Sequence, residues 1–239
     1  MDLKETLIPG ININTHWYYE SKAKAMMRFV EGTRPLSVLD VGAGSGFFSQ
    51  YLLAHSTAEE AWCIDTSYLN EYDSSENGKV IHFRKSIGFL KADLVLLMDV
   101  LEHVEDDIGL LKDYAAKVPK GKKFLISVPA FQFLWSGHDD YLDHKRRYSL
   151  QRLEKIVGRA GLKVRHSAYY FAIVFPIAAI MRLTNKYSRK DPVHSRSQLT
   201  KHHPVINSIL KGLCHAELPF MMANRLAGLT IFCLAENNE

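Results

Sequence analysis

Five ionisable side chains crowd into seven residues of the stretch WSGHDDYLDHKRRY, Trp135 to Tyr148: His138, Asp139, Asp140, Asp143 and His144. Imidazoles beside carboxylates suit proton transfer near neutral pH, because the ring titrates there and the carboxylate can orient it. A further imidazole, His103, stands in MDVLEHVEDD directly behind an apolar run. His103, His138 and His144 are the candidate general bases. Mixed His and Asp side chains can also ligate metals, but the spacing in 138–144 matches no closed zinc pattern, so no metal site is expected from it. A plainer reading makes the stretch a polar loop in which Asp143 pairs with Arg146 or Arg147, and makes His103 a helix-start residue bonded to backbone.

The second chemical signal is VLDVGAGSGFF, Val38 to Phe48, where Gly42, Gly44 and Gly46 follow an apolar run. Glycines at that density either allow positive φ or let a ligand approach the backbone. Asp40 precedes them by two residues, and a second acid, Asp65, ends the next apolar run, where it can accept both hydroxyls of a ribose. The spacing is GxGxG, not the GxGxxG of the dinucleotide fingerprint, so a nicotinamide oxidoreductase is disfavoured.

Such residues need a scaffold that brings strand ends together. Short apolar runs at Leu36–Val41, Ala61–Asp65, Lys79–Arg84, Ala92–Asp99 and Lys122–Val128 read as strands, several continuous enough to be buried on both faces of a parallel sheet. Helical patterns at Ser45–His55, near Tyr68 and at Asp107–Val118 separate them. Ser149 reads as the N-cap of a helix running to about Ala160, with Gly161 as its stop. LKVRHSAYY and LTIFCLAE complete seven strands, and Thr15–Val30 reads as one helix ahead of the sheet. The pattern predicts a doubly wound α/β fold in one domain over 1–239. Its parts are an N-terminal helical segment (1–34), a core (35–167 and 224–236) and an insertion before the last strand (168–223). Ligands of such sheets bind at the C-terminal strand ends, where the glycines lie.

With those elements in place the chain resembles the class I S-adenosylmethionine-dependent methyltransferases, whose first motif has this acid-and-glycine form on a Rossmann-like, mostly parallel sheet. The resemblance spans roughly Leu36 to Leu162 and the last strand. It implies that Gly42, Gly44 and Gly46 lie against S-adenosyl-L-methionine, that Asp40 orients the loop or the cofactor's amino group, and that Asp65 clamps the ribose. Asp99 and Val100 would line the methionine side. Relatives commonly carry an Asp after the third strand for the adenine amino group. Here the text is FRKSIGF, and Ser86 is the substitute, with Ile87 over the ring. The VLEHV segment is similar to that of small-molecule methyltransferases, including ubiquinone-biosynthesis O-methyltransferases, and unlike the Asn/Asp-Pro-Pro-Tyr segment of nucleic-acid amino-methyltransferases. The His-Asp stretch is similar to one in the ubiquinone-type enzymes too. In that setting His16, Trp17, Tyr18, Trp135, Asp139 and Tyr141 are expected to wall the acceptor pocket, with His16 facing the methyl. The implied activity is methyl transfer, expected to be O-directed, to a small, partly apolar acceptor such as a quinone, lipid-linked or sugar precursor, releasing S-adenosyl-L-homocysteine. A cofactor-binding sensor or scaffold without transfer activity is the alternative.

Charge narrows the partners. The net charge is +4, yet Arg182, Lys186, Arg189, Lys190, Arg196 and Lys201, opposed within that segment only by Asp191, leave the rest of the chain at −1. A broad footprint for nucleic acid is absent. Apolar residues followed by this basic run, over 168–203, instead suit a cap that completes the core with a solvated loop behind it, an anionic membrane surface, a lid over an apolar acceptor, or a dimer contact. Ser167–Met181 is uncharged but falls short of the ~20 residues of a spanning helix and is broken by Pro176. Met1–Gly10 lacks the apolar core of a secretory signal. Three scattered cysteines fit a reducing cytoplasm. The expected location is cytoplasmic, with peripheral membrane contact as one alternative for 168–203.

Overall fold

The computed structural model describes residues 12–188 and 203–238. Met1–Gly10 and most of the basic run lie outside the described residues. A short 3-10 turn, Ile13–Thr15, leads into α1 (Trp17–Val30). The sheet then begins: β1 (Ser37–Val41), α2 (Phe47–His55), β2 (Glu60–Ile64), β3 (Tyr72–Glu76), β4 (Lys79–Arg84), β5 (Leu94–Met98), α3 (Asp107–Ala116) and β6 (Lys123–Pro129). After it come α4 (Gly137–Tyr141), α5 (Leu150–Arg159), β7 (Leu162–Tyr170), α6 (Phe175–Ser188), α7 (Pro204–Glu217) and β8 (Thr230–Asn237).

The strands form one sheet in the order β3-β4-β2-β1-β5-β6-β8-β7. Neighbours from β4 through β6 pair in parallel, while β8 is antiparallel to both β6 and β7. The order reverses between β2 and β5 around β1, which is the switch point where such sheets open a crevice. Both faces are covered, and β1 and β5 are buried at every residue, which is why they read as unbroken apolar runs. One core packs Tyr19, Met26, Phe29, Phe48, Leu52 and Phe232 on the α1/α2 face. The other packs Leu39, Leu97, Leu111, Tyr148, Leu153 and Ile231 on the α3/α5 face.

The expected α/β fold is present with eight strands where seven were expected. The extra strand, β3, pairs antiparallel with β4 at the sheet edge. Its sequence, YDSSE, has no apolar face to announce it, and its residues are mostly exposed. The hairpin is made by its turn: Asn77 and Gly78 take φ +52° and +78°, the conformation for which an Asn-Gly pair is selected. The helix expected near Tyr68 is instead a turn, closed by the Tyr68 N–H to Asp65 carbonyl bond at 3.3 Å. The strand β7 continues to Tyr170, so Ala168–Tyr170 belong to the sheet.

Ser149 does cap α5, accepting from the Arg152 N–H, and Gly161 follows at φ +87°. Helix α7 lies against α1. The Trp17 N–H donates to Asn207 Oδ1 at 2.9 Å, and Lys211 pairs with Glu20 at 2.9 Å. No helix among the described residues is long and apolar enough to cross a membrane.

Candidate active site

Gly42, Gly44 and Gly46 all have positive φ (+63°, +55° and +74°), so the chain between β1 and α2 is a left-handed loop that side chains would strain. Two of them also have no room for a Cβ. One built on Gly42 would lie 2.8 Å from Val100 Cγ2, and one on Gly46 would lie 2.9 Å from Phe83 Cζ. Val100 therefore closes over the loop from the end of β5. The loop is tied to the neighbouring strand tip: the Gly42 N–H donates to the Ile64 carbonyl at 2.7 Å and the Gly44 N–H to Asp65 Oδ2 at 3.0 Å. Asp65 Oδ1 accepts from the backbone N–H and hydroxyl of Ser67. Oδ1 is occupied by Ser67, but Oδ2 retains a second lone pair, so the acid can both brace the loop and receive a ribose hydroxyl. This donor set fits the nucleoside half of S-adenosylmethionine.

Asp40 is placed differently. It is buried within β1, and its Oδ2 accepts the Ser49 hydroxyl of α2 at 2.7 Å. Burial pushes its carboxyl up to about 6, with the Ser49 bond opposing. It braces the first turn of α2 from inside. Ser86, beyond β4, is exposed and Ile87 beside it is half-buried.

At the tip of β5, Asp99 takes φ +58°, and Phe131 and Phe171, within two residues of the ends of β6 and β7, take +59° and +64°. Three side-chain-bearing residues in a left-handed conformation thus sit along one sheet edge, the kind of strain that gathers at functional sites. Lys22 of α1, fully buried, forms an ion pair with Asp99. Burial alone would lower the lysine's pKa, but Asp99 raises it beyond the usual range. Reciprocally, burial would raise Asp99 and Lys22 brings it below the usual carboxylate range. Lys22 also donates to Tyr18 at 3.3 Å, and Tyr18 stacks on Phe171 with ring centroids 5.2 Å apart. Tyr19 meets Phe47, the first residue of α2, edge-on at 5.8 Å. Helix α1 therefore closes over the site. His16, expected to face the methyl, instead caps α1, its Nδ1 accepting the Tyr18 N–H at 3.3 Å.

Beyond Asp99 the chain turns, and Glu102 is wholly buried with no hydrogen-bond partner among the described residues for either side-chain oxygen. Burial, then the Asp99 charge, raises its carboxyl well above the ordinary range. His103 and His144 pack edge to face with centroids 4.7 Å apart, and ligand-type atoms of Glu102, His103 and His144 all lie within 4.8 Å of one another. Residues some forty positions apart meet here because the two loops are stitched together. The Lys145 N–H donates to the Glu102 carbonyl at 2.6 Å, Tyr148 donates to the Leu101 carbonyl at 2.9 Å, and Arg146 pairs with Glu105 and Asp107.

Asp139, expected to bind the acceptor, is buried and fully engaged. It caps α4 with Ser136, takes a two-pronged pair from Arg147 (2.7 and 3.0 Å) and lies 2.9 Å from His144 Nδ1. Burial would raise its carboxyl, but His144 and Arg147 hold it far below the usual range. It orients His144 and has no bond left for a ligand. His138 is half-buried, and burial lowers its imidazole to about 4, Asp139 opposing. It is neutral at pH 7. The Trp135 indole donates to Asp140 Oδ1 at 3.0 Å, and Tyr141 is half-buried on α4. Arg147 pairs with Asp139, and Arg146 with Asp107.

Three site residues escaped the sequence reading: Lys22, Glu102 and Phe171. Lys22 sits in a helix with other cations, and Glu102 was passed over beside His103. A charged residue on an otherwise apolar helix face was the available signal for Lys22.

A family model described as a methyltransferase domain matches residues 15–167. A comparison with curated protein sequences finds no match. Among solved structures, an S-adenosylmethionine-dependent methyltransferase from Mesorhizobium loti superposes with a TM-score of 0.55 at 13% identity, over 94% of this chain and all of that one. A chain in the complex of the Haloferax volcanii Trm112 methyltransferase activator with its methyltransferase-assigned partner gives 0.54 at 13% identity, over 93% and 96%. The [4+2]-cyclase SpnF gives 0.54 at 10% identity, over 92% and 81%. At these identities the likeness is one of fold, and a cyclase among such neighbours illustrates that fold does not dictate reaction.

Proposed function

From the premise that this chain belongs to the methyltransferase-domain family, whose methyl donor is S-adenosylmethionine, we propose that it methylates a hydroxyl of a small, amphiphilic acceptor. Bound at the switch point, the donor supplies an electrophilic methyl on its sulfonium. The chain's part is to hold two reactants in line and exclude water, an effect worth ~7–11 kcal/mol in ideal intramolecular systems. The Gly42–Gly46 backbone and Asp65 seat the nucleoside, with Ser86 at the adenine and Asp99 and Val100 toward the methionine. Trp17, Tyr18, Trp135 and Tyr141 are the candidates for the acceptor wall.

The observation that carries the O-directed reading is the imidazole corner past β5. An amine can attack as its free base, but a hydroxyl must lose its proton. His144, held at Nδ1 by the buried Asp139 at 2.9 Å and packed on His103, supplies an oriented imidazole where that proton would leave. Exposed apolar side chains support the amphiphilic part: Ile177, Ile180 and Met181 on α6, and Val205, Ile206 and Ile209 on α7. They flank the basic run, whose cations would each add about 1 kcal/mol at an anionic lipid surface.

The test is to incubate the protein with methyl-labelled S-adenosylmethionine and fractionated aqueous and lipid extracts. Label should enter an organic-extractable, base-stable product, and His144→Ala should lose most of that transfer while still binding S-adenosylhomocysteine. Cofactor binding with no labelled product from any fraction would instead favour a sensor.

A further inference from the structure

A buried carboxyl group without a hydrogen-bond partner is costly, on the order of several kcal/mol, and persists where something compensates it. Glu102 is such a group among the described residues, and what surrounds it is not apolar: His103 and His144 each bring one ring nitrogen within 4.8 Å of one of its oxygens. His144 already uses Nδ1 on Asp139, at 2.9 Å, which leaves Nε2 as its lone-pair nitrogen. An imidazole fixed through its other nitrogen by a carboxylate is the usual outer support of a metal-ligating histidine. Asp139 is in turn anchored by Arg147 and Ser136, so this support is rigid.

We propose that Glu102, His103 and His144 form a binding site for one divalent transition-metal cation, with Asp139 positioning His144. Two imidazoles and one carboxylate, leaving further positions open, suit manganese, iron, cobalt or zinc better than magnesium or calcium, which prefer oxygen donors. The spacing of the sequence hides the site because two ligands are adjacent and the third lies forty-one residues on. Lys22, drawn toward Asp99, keeps its ammonium on the other acid of this corner.

The role of the cation rests on the O-methylation reading above; its binding does not. An acceptor hydroxyl on the open position would be acidified and lose its proton to water. Its oxygen lone pair would form the new O–C bond as the sulfonium C–S bond breaks, releasing S-adenosylhomocysteine as a neutral thioether. With the cation bound, His103 and His144 act as ligands, and the deprotonation assigned above to the metal-free His144 imidazole passes to the acidified hydroxyl and water.

The experiment titrates Co²⁺ into chelator-treated full-length protein without cofactor or acceptor, following visible absorption and the melting temperature. One equivalent should produce d–d bands and raise the melting temperature. Glu102→Gln, which keeps the shape and removes the charge, should melt no lower than the wild type in chelator yet bind cobalt at least tenfold more weakly. His144→Ala should do the same to the bands, and Asp139→Asn should weaken binding 10–100-fold. Absence of bands and of a melting shift in the wild type, or unchanged titrations in Glu102→Gln and His144→Ala, overturns the site. Failure of methyl transfer with these bands intact would overturn the proposed reaction alone.

Discussion

Lys22 of the first helix and Asp99 at the tip of β5 form an ion pair that pins α1 across the open edge of the sheet. The two partners are not equally hidden. The lysine side chain has no exposure, whereas 24% of Asp99 remains accessible. Removing one member of a buried pair costs about 3–5 kcal/mol when the other is left desolvated. Asp99→Asn strands Lys22 in that state, so it should approach the upper end. Lys22→Met strands a carboxylate that water can still reach, and should cost clearly less. Urea denaturation of both variants checks the order, and a reversed order would mean that Lys22 contributes mainly through packing.

Gly42 faces Val100 with 2.8 Å between an added Cβ and Cγ2, on top of its φ of +63°. Overpacking and left-handed strain each cost roughly 1–3 kcal/mol. Gly42→Ala should therefore lower the melting temperature by several degrees. Adding Val100→Ala should recover the steric part and leave the backbone part. If the double variant melts no higher than Gly42→Ala, the contact is not the obstacle.

For Asp65→Ala, affinity for S-adenosylhomocysteine should fall more than tenfold, about 1.4 kcal/mol. The acid also holds the Gly44 N–H and Ser67, so a drop in melting temperature without ligand is expected too. Calorimetric titration that returned wild-type affinity would remove Asp65 from the ribose site.

Much of the scaffold was legible because burial on both faces leaves an unmistakable trace: LVLLM and SVLDV are apolar nearly throughout, and the glycines mark the turn between β1 and α2. β3 was not, since an exposed edge strand has no burial to record, although Asn77-Gly78 did mark its turn. The site was half legible. Residue types single out Asp65 and the imidazoles as candidates, but their partners depend on loops meeting in space. Asp40 and Asp139 have the right chemistry for a ligand and yet spend it on Ser49 and Arg147. Periodicity says which face of an element is buried; it does not say which polar groups will satisfy one another there.

Burial raises the Asp40 carboxyl to about 6 from an ordinary value near 3.8. Between those values the folded chain binds more protons than the unfolded one, so stability falls as pH rises through that window. The contribution is fully present below about pH 4 and gone above about pH 6, a difference of up to ~3 kcal/mol. Asp40→Asn keeps an acceptor for the Ser49 hydroxyl and cannot ionise. Its stability relative to the wild type should grow from pH 4 to pH 6 and then level off. Parallel stability curves for the two proteins would show that Asp40 ionises without penalty.

Asp139 should behave in the opposite sense. His144 and Arg147 hold its carboxyl far below the usual range, so its contribution is present above about pH 4 and is lost as acid protonates it. In Asp139→Asn the amide must turn one N–H group toward Arg147 Nη2 or Nε, or toward His144, all of which donate to the native carboxylate. A donor then faces a donor beside a buried guanidinium, at a cost of about 3 kcal/mol at neutral pH. The deficit against the wild type should shrink below pH 4, where the native acid begins to lose its advantage. Methyl transfer should fall more than tenfold with affinity for S-adenosylhomocysteine nearly unchanged, because His144 loses its orientation while Asp65 and the glycine loop are untouched. Equal loss of cofactor affinity and turnover would instead mean that Asp139 supports the whole sheet edge and has no particular hold on His144.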